Sequence, residues 1–439
     1  MRDPSVSGGP GVSPPVRVER ALGLLPDLEV LNPLRGLLVS ISRPDERTMW
    51  SSSGPYLTLG KRGVQPEEVR RHLPALLHRI AGHIRALYDA YAEALECQQR
   101  SDGAGAAAAL VKGGRSEEKV GRLAQALTWY ETALAVAEGL QDRRPELGAL
   151  RSLGEVCLAL GRYGEAARHF QRSLAISEAE FDQASAIIAC ERLGDAALAQ
   201  REWAGAEAWY ERGLRLAEGA RDARGMGRLE RSLAVLAREQ GDLTTADVHL
   251  RRARALVESV GAADAMALVL NGQGQLDAQL GRHAAASATY REALAWAQRA
   301  PRDAGLEVSI RLNLAELQLE TGRFLEADAE LRRAEQVAIA ENLTSRLVQI
   351  YTLMGKLRGQ QLDDTGFVFF EQAIELSRAL ERSPVISARV YVEYGRFKNQ
   401  LGQQEEARGY LERAREIFES HGEAPDVERV ESELQRMSA

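Results

Sequence analysis

Residues 161–174 read GRYGEAARHFQRSL, and the same pattern recurs along most of the chain. It opens again at Gly121, Gly241, Gly281, Gly322 and Gly402, with Arg201 and Gln361 in the glycine position of two further copies. Successive starts lie 40, 40, 40, 40, 41, 39 and 41 residues apart. Five residues into each copy stands a small residue: Ala126, Ala166, Ala206, Ala246, Ala286, Ala327, Gly366 or Ala407. Four further on comes a large apolar one: Tyr130, Phe170, Tyr210, Leu250, Tyr290, Leu331, Phe370 or Leu411. Three beyond that the residue is small again, as at Ala133, Ser173 and Gly213. Small, large and small at steps of four and three make one stripe of a helix. The small positions let a neighbouring helix approach, and the large one fills the space between.

A companion helix precedes each copy. Seven residues before the starts stand Gly114, Gly154, Gly194, Ala234, Gly274, Ala315 and Gly395, and Leu153, Leu193, Leu233 and Leu314 come just ahead of four of them. Gly355 falls one residue out of phase, which marks the seventh copy as locally altered. Glycine costs a helix about 1 kcal/mol relative to alanine, so its return at one phase points to close helix–helix contact.

These residues resemble the tetratricopeptide repeat family, with its Leu-Gly in a first helix and Gly-x-Tyr followed by Ala…Phe…Ala in a second. The resemblance covers about residues 107–421 in eight copies. The period departs from the family's usual 34 residues, and the family's closing proline is mostly absent. That is similar to a longer subclass found in adaptor proteins and in bacterial peptide-sensing regulators. The resemblance implies an all-α, right-handed α-solenoid of about eight helix pairs, with a concave inner face and helical caps at both ends.

The ends differ from the middle. Residues 1–16, rich in Gly, Pro, Ser and Val, read as a disordered tail. Residues 17–64 lack a helical period, and Leu37–Ile41 and Pro55–Leu59 suit a small two-stranded element. Over 65–104, Val69, Leu73, Leu76, Ile80, Ile84, Leu87, Tyr91 and Leu95 recur at helical spacing, with Pro74 kinking or restarting the helix. This region reads as a cap packed on the first repeat, the alternative being a dimerisation helix and hence a homodimer. Repeats then occupy 105–421. Val427, Val430, Leu434 and Met437 form the apolar stripe of a capping helix over 422–439.

The 439 residues carry Lys+Arg 56 against Asp+Glu 63, a net charge of −7, which speaks against a dedicated nucleic-acid binder. No secretory signal and no membrane-length apolar run stands out. Cys97, Cys157 and Cys190 are isolated, as in a reducing cytosol. Only five of the basic residues are lysines, a bias that with the abundant alanine suggests a GC-rich bacterial genome.

Catalytic and metal motifs fail on spacing. His72, His78 and His83 sit six and five apart, where a helical metal pair needs four. Asp364-Thr365-Gly366 spells the aspartic-protease tripeptide but falls in the turn entering a second helix. Gly272-x-Gly274 lies inside a first helix without a third glycine, and no GxxxxGK[ST] occurs. The expectation is a non-enzyme with no cofactor and no metal.

In the family the groove is lined by the first helix of each pair. Carried over by phase, this places Arg151, Arg192, Arg228, Arg231, Asn271, Gln275, Asn313, Lys356 and Arg396 on the inner wall. Asn271 and Asn313 suit a peptide backbone, because an amide both donates and accepts. Arg151, Arg192 and Arg231 suit a carboxylate, although Glu155, Glu191 and Asp195 are near enough in sequence to neutralise them. A second candidate surface is Phe367, Val368 and Phe369 beside the core position Phe370. The expected function is a cytosolic adaptor or scaffold that holds a peptide segment or partner protein in its groove. The alternative is a regulator whose solenoid changes curvature on binding a ligand. Such regulators usually carry a helix-turn-helix ahead of the repeats, and residues 17–64 contain no convincing one.

Overall fold

The computed structural model describes residues 83, 85–87, 89–299, 303–379, 383–421 and 424–438. Its helices come in consecutive pairs: α1 (Gly103–Val120) with α2 (Leu123–Ala137), α3 (Arg144–Ala159) with α4 (Tyr163–Ala179), and α5 (Gln183–Ala199) with α6 (Trp203–Gly219). Then follow α7 (Ala223–Glu239) with α8 (Leu243–Ser259), α9 (Ala263–Gln279) with α10 (His283–Ala297), and α11 (Ala304–Glu320) with α12 (Phe324–Ala340). The last pairs are α13 (Thr344–Gln360) with α14 (Gly366–Ala379) and α15 (Ser383–Gln400) with α16 (Gln404–Ser420); α17 (Ala424–Ser438) ends the chain. The architecture is an all-α solenoid. No described helix is long and apolar enough to cross a membrane.

One local device ends most of these helices. At Gly161 the backbone turns left-handed, φ +77°. The N–H of Arg162 bonds back to the Cys157 carbonyl at 2.8 Å, which closes the helix by a Schellman motif. Left-handed residues stand within pairs (Gly121, Gly161, Arg201, Gly241, Gly281, Gly322, Leu362, Gly402) and also between them (Phe181, Arg221, Gly261, Asn342). The backbone repeat is therefore a half-unit of about 20 residues, masked in the sequence because several of these positions are not glycine. A side chain there costs about 1–2 kcal/mol, so the surrounding helices impose the turn.

The seventh copy departs differently from the expected way. Leu362, not Gln361, takes the left-handed position (φ +55°), and Gly355 lies seven residues before it, in phase with every other copy. The missing residue lies beyond the turn: Phe370 follows Leu362 by eight residues, whereas Phe170 follows Gly161 by nine. Asp363 accepts from the backbone N and the Oγ1 of Thr365 at 2.9 and 2.7 Å, and α14 is shortened to 14 residues.

Within a pair the seam is ring against glycine. A Cβ added to Gly114, Gly154, Gly194 or Gly274 would sit 2.3–2.6 Å from the ring of Tyr130, Phe170, Tyr210 or Tyr290. Where the second-helix residue is Leu250 or Leu331, the first-helix residue is Ala234 or Ala315, and all four are buried. The thiols of Cys157 and Cys190 join this core, and burial pushes Cys190 up to about 11.

Curvature follows from which helices touch. Each first helix packs on the first helix of the next pair, from α1 against α3 through to α13 against α15, while consecutive second helices make no comparable contact among the described residues. The first helices therefore form the inner, concave layer. One coil later the ribbon meets itself: α1 packs against α13, and Lys119 Nζ lies 3.7 Å from Glu341 Oε2.

At the front, Leu87, Ala90 and Ala94 pack with Ala106, Leu110 and Trp129 of the first pair. At the back, Val430 of α17 is buried against α15 and α16, with Val427, Leu434 and Met437 beside it. The 1–16 tail, the two-stranded element, the stripe from Val69 to Ile80, and His72 and His78 lie outside the described residues. His83 bonds Ser116 at 3.1 Å and lies 3.4 Å from Glu117.

Candidate binding groove

Side chains bridge most joints of the inner wall. Between α3 and α5, Glu155 faces Arg192 at 3.5 Å, and Arg192 also donates to Asp195 at 2.7 Å. Between α5 and α7, the buried carboxylate of Glu191 receives Arg228 at 3.3 Å and Arg231 at 4.0 Å. Between α7 and α9, Arg238 donates to Gln275 at 2.6 Å. Between α9 and α11, Asn313 Nδ2 donates to Asn271 Oδ1 at 2.9 Å. Arg396 instead reaches α17, where Glu433 receives it at 2.8–3.1 Å, so it fastens the C-terminal helix to the last pair.

The expected groove residues therefore fall into three groups. Arg192, Arg228, Arg231 and Arg396 are committed to acidic partners. Asn271, Asn313 and Gln275 are half-used: the two asparagines satisfy one donor and one acceptor between them and retain an amide donor on Asn271 and an acceptor on Asn313. Arg151 and Lys356 make no hydrogen bond or ion pair among the described residues. Lys356 is nonetheless close enough to Glu316 to pull its carboxyl down. Burial between the groove walls works the other way and dominates, and together with Glu320 and Glu393 it leaves Glu316 above the usual carboxylate range.

The second-helix tyrosines reach through the seam to the same wall. Tyr210 donates to Asp195 at 2.8 Å and Tyr130 donates to Glu118. Sequence phase places these rings in the core, where they are, and gives no sign that their hydroxyls anchor groove carboxylates.

A cavity of about 150 Å³ opens between α3 and α5, lined by Leu147, Gly148, Arg151, Phe170, Ala189 and Arg192 among others. Arg151 and Arg192 are legible from phase. The cavity is not, since Gly148, where an added Cβ would meet nothing within 4 Å, offers no side chain to read.

The proposed apolar surface is smaller than expected. Phe367 and Val368 are 41 % and 40 % exposed, but Phe369 is half-buried and its ring lies 6.5 Å from that of Tyr351. The shortened start of α14 rotates Phe369 inward against α13.

No curated protein matches the chain by sequence. Among solved structures, a Rap protein complexed with competence and sporulation factor is similar over 81 % of this chain and 97 % of its own, at 13 % identity and a TM-score of 0.55. The apo quorum sensor NprR from B. thuringiensis is similar over 80 % and 98 %, at 15 % identity and a TM-score of 0.48. Residues 105–179, the span of the first two pairs, match the tetratricopeptide repeat model. The pairs beyond residue 179 renew that geometry at the same period, with the same turns and the same seam. The likeness to tetratricopeptide repeats thus rests on sequence over residues 105–179 and on helix-pair geometry beyond them.

Proposed function

We propose that this chain is a non-enzymatic, cytosolic bacterial protein that holds an extended peptide segment of a partner along its concave face. The observation that carries the reading is the Asn271–Asn313 pair. It presents a free amide donor and a free acceptor side by side on adjacent first helices, the pattern of one peptide unit. Arg151 and Lys356, the uncommitted cations of the wall, lie on either side of that pair in the solenoid order. The Rap protein of similar fold was solved with competence and sporulation factor bound, which supports a groove as the place for a ligand.

The test is capture of peptides from a random-sequence pool by immobilised protein. Asn271→Ala/Asn313→Ala should lose retention by about 10–30-fold, the equivalent of two hydrogen bonds near 1 kcal/mol each, at an unchanged melting temperature. Arg231 is left intact, because removing it would expose Glu191 rather than probe the groove. Equal retention by both proteins would reject the asparagines as the peptide site.

A regulatory role has one specific observation in its favour, the contact of α1 with α13. A ligand that alters curvature must open or tighten this contact, so a captured peptide should change the radius of gyration in small-angle scattering. An unchanged radius leaves the scaffold reading alone.

A further inference from the structure

The turns inside the sixth and seventh pairs carry apolar side chains that folding does not use. Leu325, at the start of α12, is 88 % exposed, and Leu362, in the turn between α13 and α14, is 71 % exposed. Phe367 and Val368 continue the surface along the first turn of α14. At the register of Leu325 the other copies hold alanine, glycine, threonine or glutamate. At the register of Phe367 the three preceding copies hold Asp247, Ser287 and Asp328. Leu362 is left-handed (φ +55°) where six of the other seven copies place glycine, a conformation that costs a side chain about 1–2 kcal/mol. Large apolar groups therefore face water on one edge of the solenoid, one of them at a strained position.

The two turns form one surface. Arg358 of α13 donates to Asp328 of α12 at 3.1 Å, and its Nε lies 3.8 Å from Asp363, next to Leu362. Phe324 and Phe369, the sequence neighbours of Leu325 and Val368, pack on one core beneath. The backbone here is closed to an extended chain: the N–H groups of Gly366, Phe367 and Val368 already bond the carbonyls of Asp363, Asp364 and Thr365. A ligand must bring its own backbone hydrogen bonds, as a helix does.

The charge on this edge is acidic and unspent. Arg323 is answered by Glu326, and Arg332 and Arg358 by Asp328. The carboxylates of Asp364 and Glu371 have no hydrogen bond or ion pair among the described residues. A second copy docked about a two-fold axis would set this acidic edge against itself, which disfavours self-association. A partner with basic residues beside its apolar ones meets both demands.

We infer that this edge docks an amphipathic helix of a partner protein, with leucine-sized side chains on Leu325, Leu362, Phe367 and Val368 and Lys or Arg facing Asp364 and Glu371. The edge lies outside the concave groove, so the inference stands without the peptide reading above.

The experiment uses the full chain and three labelled helical peptides of about 18 residues: one with a leucine stripe flanked by lysine, one with glutamate in place of lysine, and one that scrambles the first. Fluorescence anisotropy should give the basic striped peptide at least tenfold tighter binding than either control, weakening as salt rises. Leu325→Ser/Leu362→Gly should lose at least tenfold of that binding at an unchanged or higher melting temperature, because both side chains are exposed and glycine relieves the turn. Asp364→Asn/Glu371→Gln should keep the preference for the stripe and lose most of the preference for lysine over glutamate. Asn271→Ala/Asn313→Ala should bind as wild type does, which separates this edge from the groove. Equal binding by wild type and the Leu325/Leu362 variant, no preference for lysine, or no binding by any form would overturn the proposal. So would a dimer in sedimentation velocity that the Leu325/Leu362 variant abolishes, which gives the edge to a second copy. Binding only by Leu73→Asp/Leu76→Asp would overturn it too, in favour of the chain's own Val69–Ile80 stripe.

Discussion

Two surfaces of the same first helices behave in opposite ways. At the seam facing the second helix, the copies solve one problem in three ways: glycine under a ring, as at Gly194 and Tyr210, alanine under a leucine, as at Ala234 and Leu250, or, in the last copy, glycine under a leucine, Gly395 and Leu411. On the inner wall a single register holds Gly148, Ile188, Arg228 and Leu268 in successive pairs. Packing density explains the first pattern, since a buried ring leaves no room for a methyl group. Nothing in the repeat constrains the second, so the wall is where copies diverge. Divergence does not make a residue available, however. Glu191 is 3 % exposed and tied to two arginines, which makes that part of the wall as structural as the seam.

The sharpest way to break the comparison is to remove both arginines. Arg228→Ala/Arg231→Ala leaves Glu191 buried without its cations and should cost about 3–5 kcal/mol by urea denaturation. Adding Glu191→Gln should recover most of that loss. A double variant of unchanged stability would mean that these arginines belong to the solvated face after all.

The same substitution at two glycines tests the seam against the wall. Gly194→Ala and Gly148→Ala both gain about 1 kcal/mol of helix propensity. The new methyl of the first lies 2.3 Å from the ring of Tyr210, while that of the second meets nothing. Gly194→Ala should therefore lose about 1–3 kcal/mol, and Gly148→Ala should gain up to about 1 kcal/mol, both read from thermal midpoints.

This division decides what a linear reading could find. The 40-residue period, the helix pairing and the buried aromatics follow from the seam, which speaks in repeats. The half-unit near 20 residues was hidden because Phe181, Arg201, Arg221, Asn342 and Leu362 adopt a conformation that glycine would advertise. Gln361 holds the glycine register when Phe370 is aligned with the other core residues, and the one-residue deletion after the turn moves the true turn position to Leu362. Among wall residues, phase identified the face but not the partners. Asn271 and Asn313 are 42 residues apart, at registers that differ by one relative to their seam positions, and Arg396 binds Glu433 in a helix outside the repeat. Pairs between registers leave no periodic trace, and a cavity lined by Gly148 offers no side chain there to notice.

A smaller effect joins the two surfaces. Tyr210 packs its ring on the seam and gives its hydroxyl to Asp195 on the wall. Tyr210→Phe keeps the packing and should cost about 1 kcal/mol, because Asp195 retains Arg192. Tyr210→Leu should cost more, and Tyr210→Leu/Gly194→Ala should recover part of the difference by reproducing the pairing of Ala234 with Leu250.

The smallest effect lies in the second half of the wall, at Glu316. Its carboxyl is held above the usual range first by its recessed place in the groove; Lys356 opposes this, and Glu320 and Glu393 add to it. The native value lies above the unfolded one, so the folded chain binds more protons than the unfolded chain as pH rises through this window. Stability from this group is therefore complete below the ordinary glutamate value near 4.5 and erodes as pH climbs through the raised one. Water still reaches the carboxylate, which limits the change to a few tenths of a kcal/mol. The direct readout is the side-chain carboxyl resonance: Glu316 should titrate above the ordinary glutamate value near 4.5, and Lys356→Gln should move it higher still. Glu316→Gln should flatten the acidic limb of the stability curve and leave neutral-pH stability equal or slightly higher. If Lys356→Gln leaves the Glu316 titration unmoved, Lys356 does not face Glu316 across the α11–α13 joint, and the second half of the wall lacks the inter-helix pairing that organises the first.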